Sequence, residues 1–339
     1  MADSDRVKIA LVGCGNIARA HWRGISYHAP LIEVTAVVDD DPERAAAMAE
    51  RTGGAAFSSL GDALGSGDFD AVDLMLPHDL HEQAAVEALA AGKHVVLEKP
   101  MAMDLESCDR ILAAAESAGT VFMIAEQSQY WPDVIKAGEM IEAGAIGDVI
   151  SARASFFDPL RLDPADPIPW RFLLKRSGGG ICIDGGAHWI RPLRMWFGEI
   201  DEVIAVTGRH IANLEGESVA HALFRFSNGV TATFDALLTD SAVGPGDDFH
   251  ITGTAGELVI ERGREGRLVL FDGEHPEGKM IMELFPGKVD SYGFELHDFS
   301  LAVLHGTPLQ ASAQYSLGEL RTALAMYRSV ESRRWEKVW

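Results

Sequence analysis

Cysteine is scarce in this 339-residue chain. The three present, Cys14, Cys108 and Cys182, are too scattered for a disulfide framework or a metal-binding cluster, which fits a reducing compartment. Basic residues are outnumbered, 29 Lys and Arg against 51 Asp and Glu. The net charge of −22 argues against nucleic acid or an anionic membrane surface as partner. An anionic substrate would need a locally basic pocket, whereas a neutral polyol needs none. No apolar run approaches the ~20 residues that span a bilayer. The first residues, Met1-Ala2-Asp3-Ser4-Asp5-Arg6, carry acid rather than an apolar signal core, so a cytoplasmic protein is expected. Internal repeats and low-complexity linkers are also missing. What is there, 47% hydrophobic and 24% charged residues, is the composition of a globular protein whose length predicts two domains.

Residues 6–39 hold the most informative pattern. Arg6–Val12 reads as a buried strand running into Gly13-Cys14-Gly15-Asn16-Ile17-Ala18, a G-x-G-x-x-A turn, and then into a helical pattern. A second apolar run, Val34–Val38, ends in Asp39, about twenty residues past the turn, the offset of a dinucleotide site. Gly13 permits the tight turn, Gly15 lets backbone N–H groups reach a pyrophosphate, and Ala18 lets helix and strand pack closely. Asn16 and Ile17 open the helix whose N–H groups and dipole attract phosphates. Asp39 can accept from the adenosine ribose hydroxyls and repels a 2′-phosphate. Asp40 and Asp41 after it supply no cation to relieve that repulsion. The expected cofactor is NAD(H) rather than NADP(H).

Strand and helix alternate through the first third. Pro42–Gly53, Leu80–Ala91 and Asp104–Ala118 read as helices; Phe69–Leu76, His94–Leu97 and Val121–Ala125 read as strands. This predicts an α/β domain over residues 1–126 with a doubly wound parallel sheet. Ligands of such sheets sit beyond the carboxyl ends of the strands, where Gly13, Asp39, Pro77, His78, Glu98 and Lys99 fall. From residue 127 to 339 a helix at Asp133–Ala143 precedes a run of strands, with Asn228-Gly229 as a hairpin signal. That predicts an α+β domain with a large open, mostly antiparallel sheet. Helices at Gly293–His305 and Leu317–Glu331 are expected to pack back over the molecule. Pro159–Pro169, rich in proline and aspartate, reads as a loop covering the site.

Two further clusters carry chemistry. Glu98-Lys99-Pro100 directly follows a strand. An ammonium there either donates to a substrate oxygen and stabilises developing alkoxide charge, or forms a solvated pair with Glu98. In Gly178–Ile190, Asp184 and His188 are four apart and share a face if Asp184 opens a helix. The pair is either an acid/base imidazole oriented by a carboxylate, or an N-cap beside an interior histidine. Glycines 178–180 offer a backbone that bends around a ligand, and Pro192 is expected to kink the helix. His78 and His81 either line the nicotinamide pocket or cap the following helix. Trp170 and Arg171 either meet sugar hydroxyls or anchor the proline-rich loop. Gln127 and Gln129 are hydroxyl-binding candidates, and Tyr130-Trp131 reads as packing.

Taken together these residues resemble the Gfo/Idh/MocA family, named for glucose–fructose oxidoreductase, inositol dehydrogenase and a rhizopine-catabolism protein. The resemblance runs through residues 13–18, 72–81, 91–100, 142–149 and 178–188 and covers essentially the whole chain. It implies NAD(P)-dependent oxidation or reduction at a secondary alcohol or ketone of sugars, inositols and related polyols. It also implies that Lys99, Asp184 and His188 are the catalytic set, with His188 taking the hydroxyl proton, Lys99 donating to the same oxygen and Asp184 orienting His188 or a neighbouring hydroxyl. Which of Lys99 and His188 accepts the proton varies within the family. Two positions depart from its pattern: Arg191 stands where many members have an acid, and Gln129 where a basic residue is common. Both lie where substrate is expected to be sensed. The resemblance further implies a homodimer or homotetramer built through the open sheet. Two other readings stand beside the dehydrogenase: redox-assisted cleavage of a glycosidic bond, and a non-catalytic nucleotide-binding sensor.

Overall fold

The computed structural model describes residues 5–160, 168–211, 213–262, 267–282 and 289–339. They form two compact units, Met1–Gln127 with Val289–Leu317, and Ser128–Lys288 with Gly318–Trp339.

In the first unit, β1 (Val7–Val12), β2 (Ile32–Val38), β3 (Ala55–Phe57), β4 (Ala71–Leu74), β5 (His94–Glu98) and β6 (Phe122–Ala125) make a parallel sheet ordered β3-β2-β1-β4-β5-β6. Ile9, Leu11, Val72 and Val95–Leu97 are fully buried. Such strands carry continuous apolar runs because both faces of a parallel sheet are covered. The strand order reverses between β1 and β4, which places the ligand crevice at the loops that follow them. The helices are α1 (Asn16–His28), α2 (Pro42–Thr52), α3 (Leu60–Ser66), α4 (His81–Ala90) and α5 (Leu105–Ala118). Asp41 caps α2 by accepting from the backbone N–H groups of Glu43 and Arg44, with Pro42 in the first turn. Asp104 caps α5 through Ser107 N–H, and Gly119 ends it in the left-handed region.

The second unit begins with α6 (Pro132–Glu142). Its sheet contains β7 (Val149–Pro159), β8 (Ile200–Gly208), β9 (Val219–Phe226), β10 (Thr231–Thr239), β11 (Asp247–Gly253), β12 (Gly256–Glu261), β13 (Leu268–Asp272), β14 (Lys279–Met282) and β15 (Glu336–Lys337). Their order is β14-β13-β12-β11-β7-β10-β9-β8-β15, antiparallel throughout except for the parallel β7–β10 pair. Along β9, Ala220, Ala222, Phe224 and Phe226 are buried, while His221, Leu223 and Arg225 alternate with them on the exposed face. The Asn228-Gly229 turn joins β9 to β10, with Gly229 at φ +90°. Two helices, α7 (Leu174–Ser177) and α8 (Ala187–Phe197), lie between β7 and β8.

The last helices divide between the units. Most of α10 (Leu317–Ser332) belongs to the second, whereas α9 (Ser291–His305) returns to the first. The 127–339 domain of the sequence reading therefore gives up residues 289–317. The cause is close packing of α9 on α1: a Cβ on Gly24 would lie 2.5 Å from Gly293 N, and one on Gly293 2.5 Å from Gly24 O. The short elements β3, α3, β14 and β15 were not anticipated. Of the proline-rich loop, Pro159 ends β7 and Pro169 precedes a 3-10 turn at Trp170–Phe172; residues 161–167 lie outside the described residues. Among the described residues no helix is long and apolar enough to cross a membrane.

Candidate active site

In the first unit the fingerprint loop leaves β1 at Gly13, whose φ is +90°. A Cβ at this position would sit 2.4 Å from Met75 O, just past β4, so the loop closes over the switch point only with glycine. Gly15 and Asn16 are exposed, and a Cβ on Gly15 would meet no protein atom within 4 Å. Gly15 is the N-cap of α1, with no side chain capping it and no acidic residue in the first turn. The amide end of α1 is thus open and carries no competing negative charge, as a diphosphate site requires.

Asp39 follows β2 directly. Its Oδ2 accepts the Cys14 N–H at 2.7 Å and its Oδ1 the Asp41 N–H at 2.9 Å, so the carboxylate is braced against the fingerprint loop. Each oxygen keeps a second lone pair for a ribose hydroxyl. Burial, with the Asp39 charge beside it, pushes the Cys14 thiol up to about 11.

Pro77 and His78 lie in the turn after β4, and Lys99, half-buried, directly follows β5. The Lys99–Pro100 peptide is cis. Two expected cofactor contacts have other partners. His81 is fully buried, its Nδ1 2.9 Å from Pro100 O and its Nε2 2.9 Å from Leu76 O. Burial lowers its pKa; the neutral ring donates to one of the two carbonyls and sits between the β4 turn and the turn after β5. Glu98 Oε1 lies 2.9 Å from Nε2 of His21, a buried residue of α1 that sequence reasoning passed over. Gln127, a substrate candidate, is buried and its Oε1 accepts from Ser291 Oγ at 2.6 Å.

In the second unit, Arg171 Nη1 lies 3.8 Å from Asp184 Oδ2, and the same guanidinium stands 5.5 Å from the Trp170 ring. Three expected substrate residues therefore form one linked group. Asp184 does not open a helix. It lies in a turn, and α8 starts at Ala187 with Gly186 as N-cap. The turn is set by crowding, since a Cβ on Gly185 would stand 2.2 Å from the Phe156 ring and one on Gly186 2.9 Å from that of Phe234. His188, half-buried in the first turn of α8, has its ring 6.3 Å from that of Trp131; the buried Trp131 also packs edge-on to Trp189 at 5.4 Å. Trp131, read from sequence as packing, is thus a wall of the histidine's surroundings.

Gly179 and Gly180 are required by close packing. A Cβ on Gly179 would lie 2.1 Å from Tyr327 Oη and one on Gly180 2.2 Å from Glu217 O. The Glu217 carboxylate accepts from Gly180 N, Cys182 N and Tyr327 Oη, each at 2.9 Å. Pro192 lies inside α8 as expected, and having no N–H it cannot donate to the carbonyl four residues back, that of His188.

Residues 7–126 match the oxidoreductase family with an NAD-binding Rossmann fold, named GFO_IDH_MocA, and residues 134–259 match the GFO/IDH/MocA C-terminal domain. The chain is 30% identical to a 1,5-anhydro-D-fructose reductase of Ensifer adhaerens, over 94% of this chain and 95% of that protein. It is 26% identical to a levoglucosan dehydrogenase of Pseudarthrobacter phenanthrenivorans, over 90% of this chain and 91% of that one. Among solved structures, a levoglucosan dehydrogenase in complex with NADH and levoglucosan superposes with a TM-score of 0.88 at 26% identity, covering 98% of this chain and 99% of that chain.

Proposed function

The chain belongs to the Gfo/Idh/MocA oxidoreductase family, and on that premise we propose that it interconverts one secondary carbinol and the corresponding ketone of a neutral sugar, anhydrosugar, inositol or related polyol. The likeness to the levoglucosan dehydrogenase bound to NADH and sugar, across 98% of the chain, is the observation that carries this reading. The net charge of −22 supports an uncharged substrate over an anionic one.

The residues present fit NAD. The open amide end of α1 at Gly15, Asn16 and Ile17 would hold the diphosphate, and Asp39 the adenosine ribose. Pro77 and His78, in the turn after β4, would line the nicotinamide end. When bound, NAD+ supplies the hydride acceptor.

In the oxidation direction His188 takes the proton of the reacting hydroxyl, and Lys99 donates to that oxygen as negative charge develops on it. Asp184 orients His188 or a neighbouring hydroxyl. Trp170 and Arg171, linked to Asp184, hold the hydroxyls that do not react. The exposed face of β9, with Leu223 46% exposed, is where a homodimer or homotetramer packs, and sedimentation velocity tests that assembly.

The test of function is a panel of monosaccharides, anhydrosugars, inositols and glycosides assayed with NAD+. Steady accumulation of NADH with at least one of them is expected. Release of free sugar from a glycoside with no net NADH would replace this reading with redox-assisted cleavage, and no turnover on any of them would reject both.

A further inference from the structure

The first unit holds a buried ionisable cluster that the proposed chemistry does not use. His21 of α1 is fully buried, with Nδ1 2.8 Å from Asp73 Oδ2 on β4 and Nε2 2.9 Å from Glu98 Oε1 at the end of β5. Glu295 of α9 is also fully buried. Its Oε1 lies 3.9 Å from His21 Nε2, and neither carboxyl oxygen has a hydrogen-bond partner. The Tyr292 ring stands 5.2 Å from the imidazole, and Glu126, just past β6, adds negative charge near Glu295.

A neutral imidazole donates once, yet here both ring nitrogens face carboxylates, and only the imidazolium satisfies both. Burial works against that charge, and the carboxylates of Asp73 and Glu98 outweigh it, holding the His21 pKa well above its ordinary value. Glu295 goes the other way. Burial, reinforced by Glu98, Glu126 and Asp73 against the opposing pull of His21, raises its pKa well above the usual carboxyl value and so favours the neutral form.

We propose that His21 is a positioning residue for Lys99: as an imidazolium it ties Glu98 to Asp73 across neighbouring strands and so fixes the end of β5, from which Lys99 follows. This rests on the reading of Lys99 as the donor to the reacting oxygen. The charge matters as well as the tether. Without the imidazolium, the Glu98 carboxylate next to Lys99 in the chain loses its partner and favours the ammonium form of Lys99. The same geometry also offers a cation site, since ligand atoms of His21, Glu98 and Glu295 lie within 4.8 Å of one another. A neutral Glu295 and a metal-ligating Glu295 respond oppositely to replacement by glutamine.

The test is steady-state kinetics across pH on the full chain and its His21→Gln, Glu295→Gln and Lys99→Met variants. His21→Gln is expected to lower kcat by ~10- to 100-fold with the KM for NAD+ unchanged, as a misplacement of about an ångström does. It should also move the limb of the kcat profile that reports Lys99 to higher pH. Glu295→Gln, an isostere of the neutral acid, should stay within about twofold of the parent. If His21→Gln does not fold, Glu98→Gln carries the test with the opposite sign, moving that limb to lower pH. An unshifted profile and full kcat in His21→Gln, with Lys99→Met inactive, overturn the positioning role alone. An active Lys99→Met overturns the reading beneath it. Stoichiometric metal in the purified protein, lost in Glu295→Gln, replaces the proton with a cation.

Discussion

Arg191 grips Glu319 with both arms of its guanidinium, Nε to Oε1 and Nη2 to Oε2, each at 2.8 Å, and both side chains are buried in the second unit. Arg191 Nη1 donates to Gln129 Oε1, and Arg194, equally buried, donates to Glu319 and to Glu199. The two positions that depart from the family pattern, Gln129 and Arg191, are therefore hydrogen-bonded to each other and anchored on α10. They brace the helix that carries His188.

Glu319→Gln keeps the shape but removes the carboxylate shared by two buried guanidiniums, leaving Arg191 without its ion-pair partner while Arg194 keeps Glu199. The expected loss is about 3–5 kcal/mol of stability, because desolvated charges left unpaired are costly. Chemical unfolding of the variant measures it, and a change under about 1 kcal/mol would show that the guanidiniums find compensation elsewhere.

Glu295 gives stability a pH dependence of definite sign. A carboxyl whose folded pKa lies well above its usual 4.5 contributes fully below that value and loses its contribution as pH climbs toward the folded pKa. Glu295→Gln removes the penalty, so its unfolding midpoint should gain on that of the parent steadily from pH 4.5 upward. A difference independent of pH would mean that Glu295 is ionised in the fold.

The fingerprint, the strand ends and the order of elements were legible in the sequence because each depends on neighbours a few residues apart. The Gly13 turn, the Asp41 and Asp104 caps and the Asn228-Gly229 hairpin all formed where local chemistry put them. The misreadings share a cause. Asp184 was expected on a helix face with His188, but the rings of Phe156 and Phe234, distant in sequence, press Gly185 and Gly186 into a turn. His81, expected either at the nicotinamide or as a cap of the following helix, lies between the carbonyls of Leu76 and Pro100. His21 meets Glu295, and Arg191 meets Glu319, only after the chain has folded back, and no local pattern announces such partners.

Asp39→Ala removes two charge-assisted acceptors for the ribose and the repulsion toward a 2′-phosphate. The KM for NAD+ should rise at least ~10-fold, the equivalent of one hydrogen bond to a charged group. Preference over NADP+ should narrow by a similar factor. Unchanged discrimination between the two cofactors would place the 2′-hydroxyl contact on another residue.

Cys14 sits inside the fingerprint and invites the reading of a redox thiol. With its thiol pushed up to about 11, and with Cys108 and Cys182 buried too, the native chain should not react rapidly with a thiol reagent around pH 8. Three thiols should titrate after unfolding. A fast-reacting thiol in the native protein would contradict the burial.

The most direct test of the account is NADH formation by Lys99→Met and His188→Asn on a substrate the parent oxidises, with NAD+ affinity measured alongside. Each variant should lose ~10²- to 10⁴-fold in kcat, the usual worth of a positioned acid or base, while binding NAD+ as tightly as the parent. Parent-like turnover in either variant would contradict the assignment of Lys99 and His188 to the reacting oxygen.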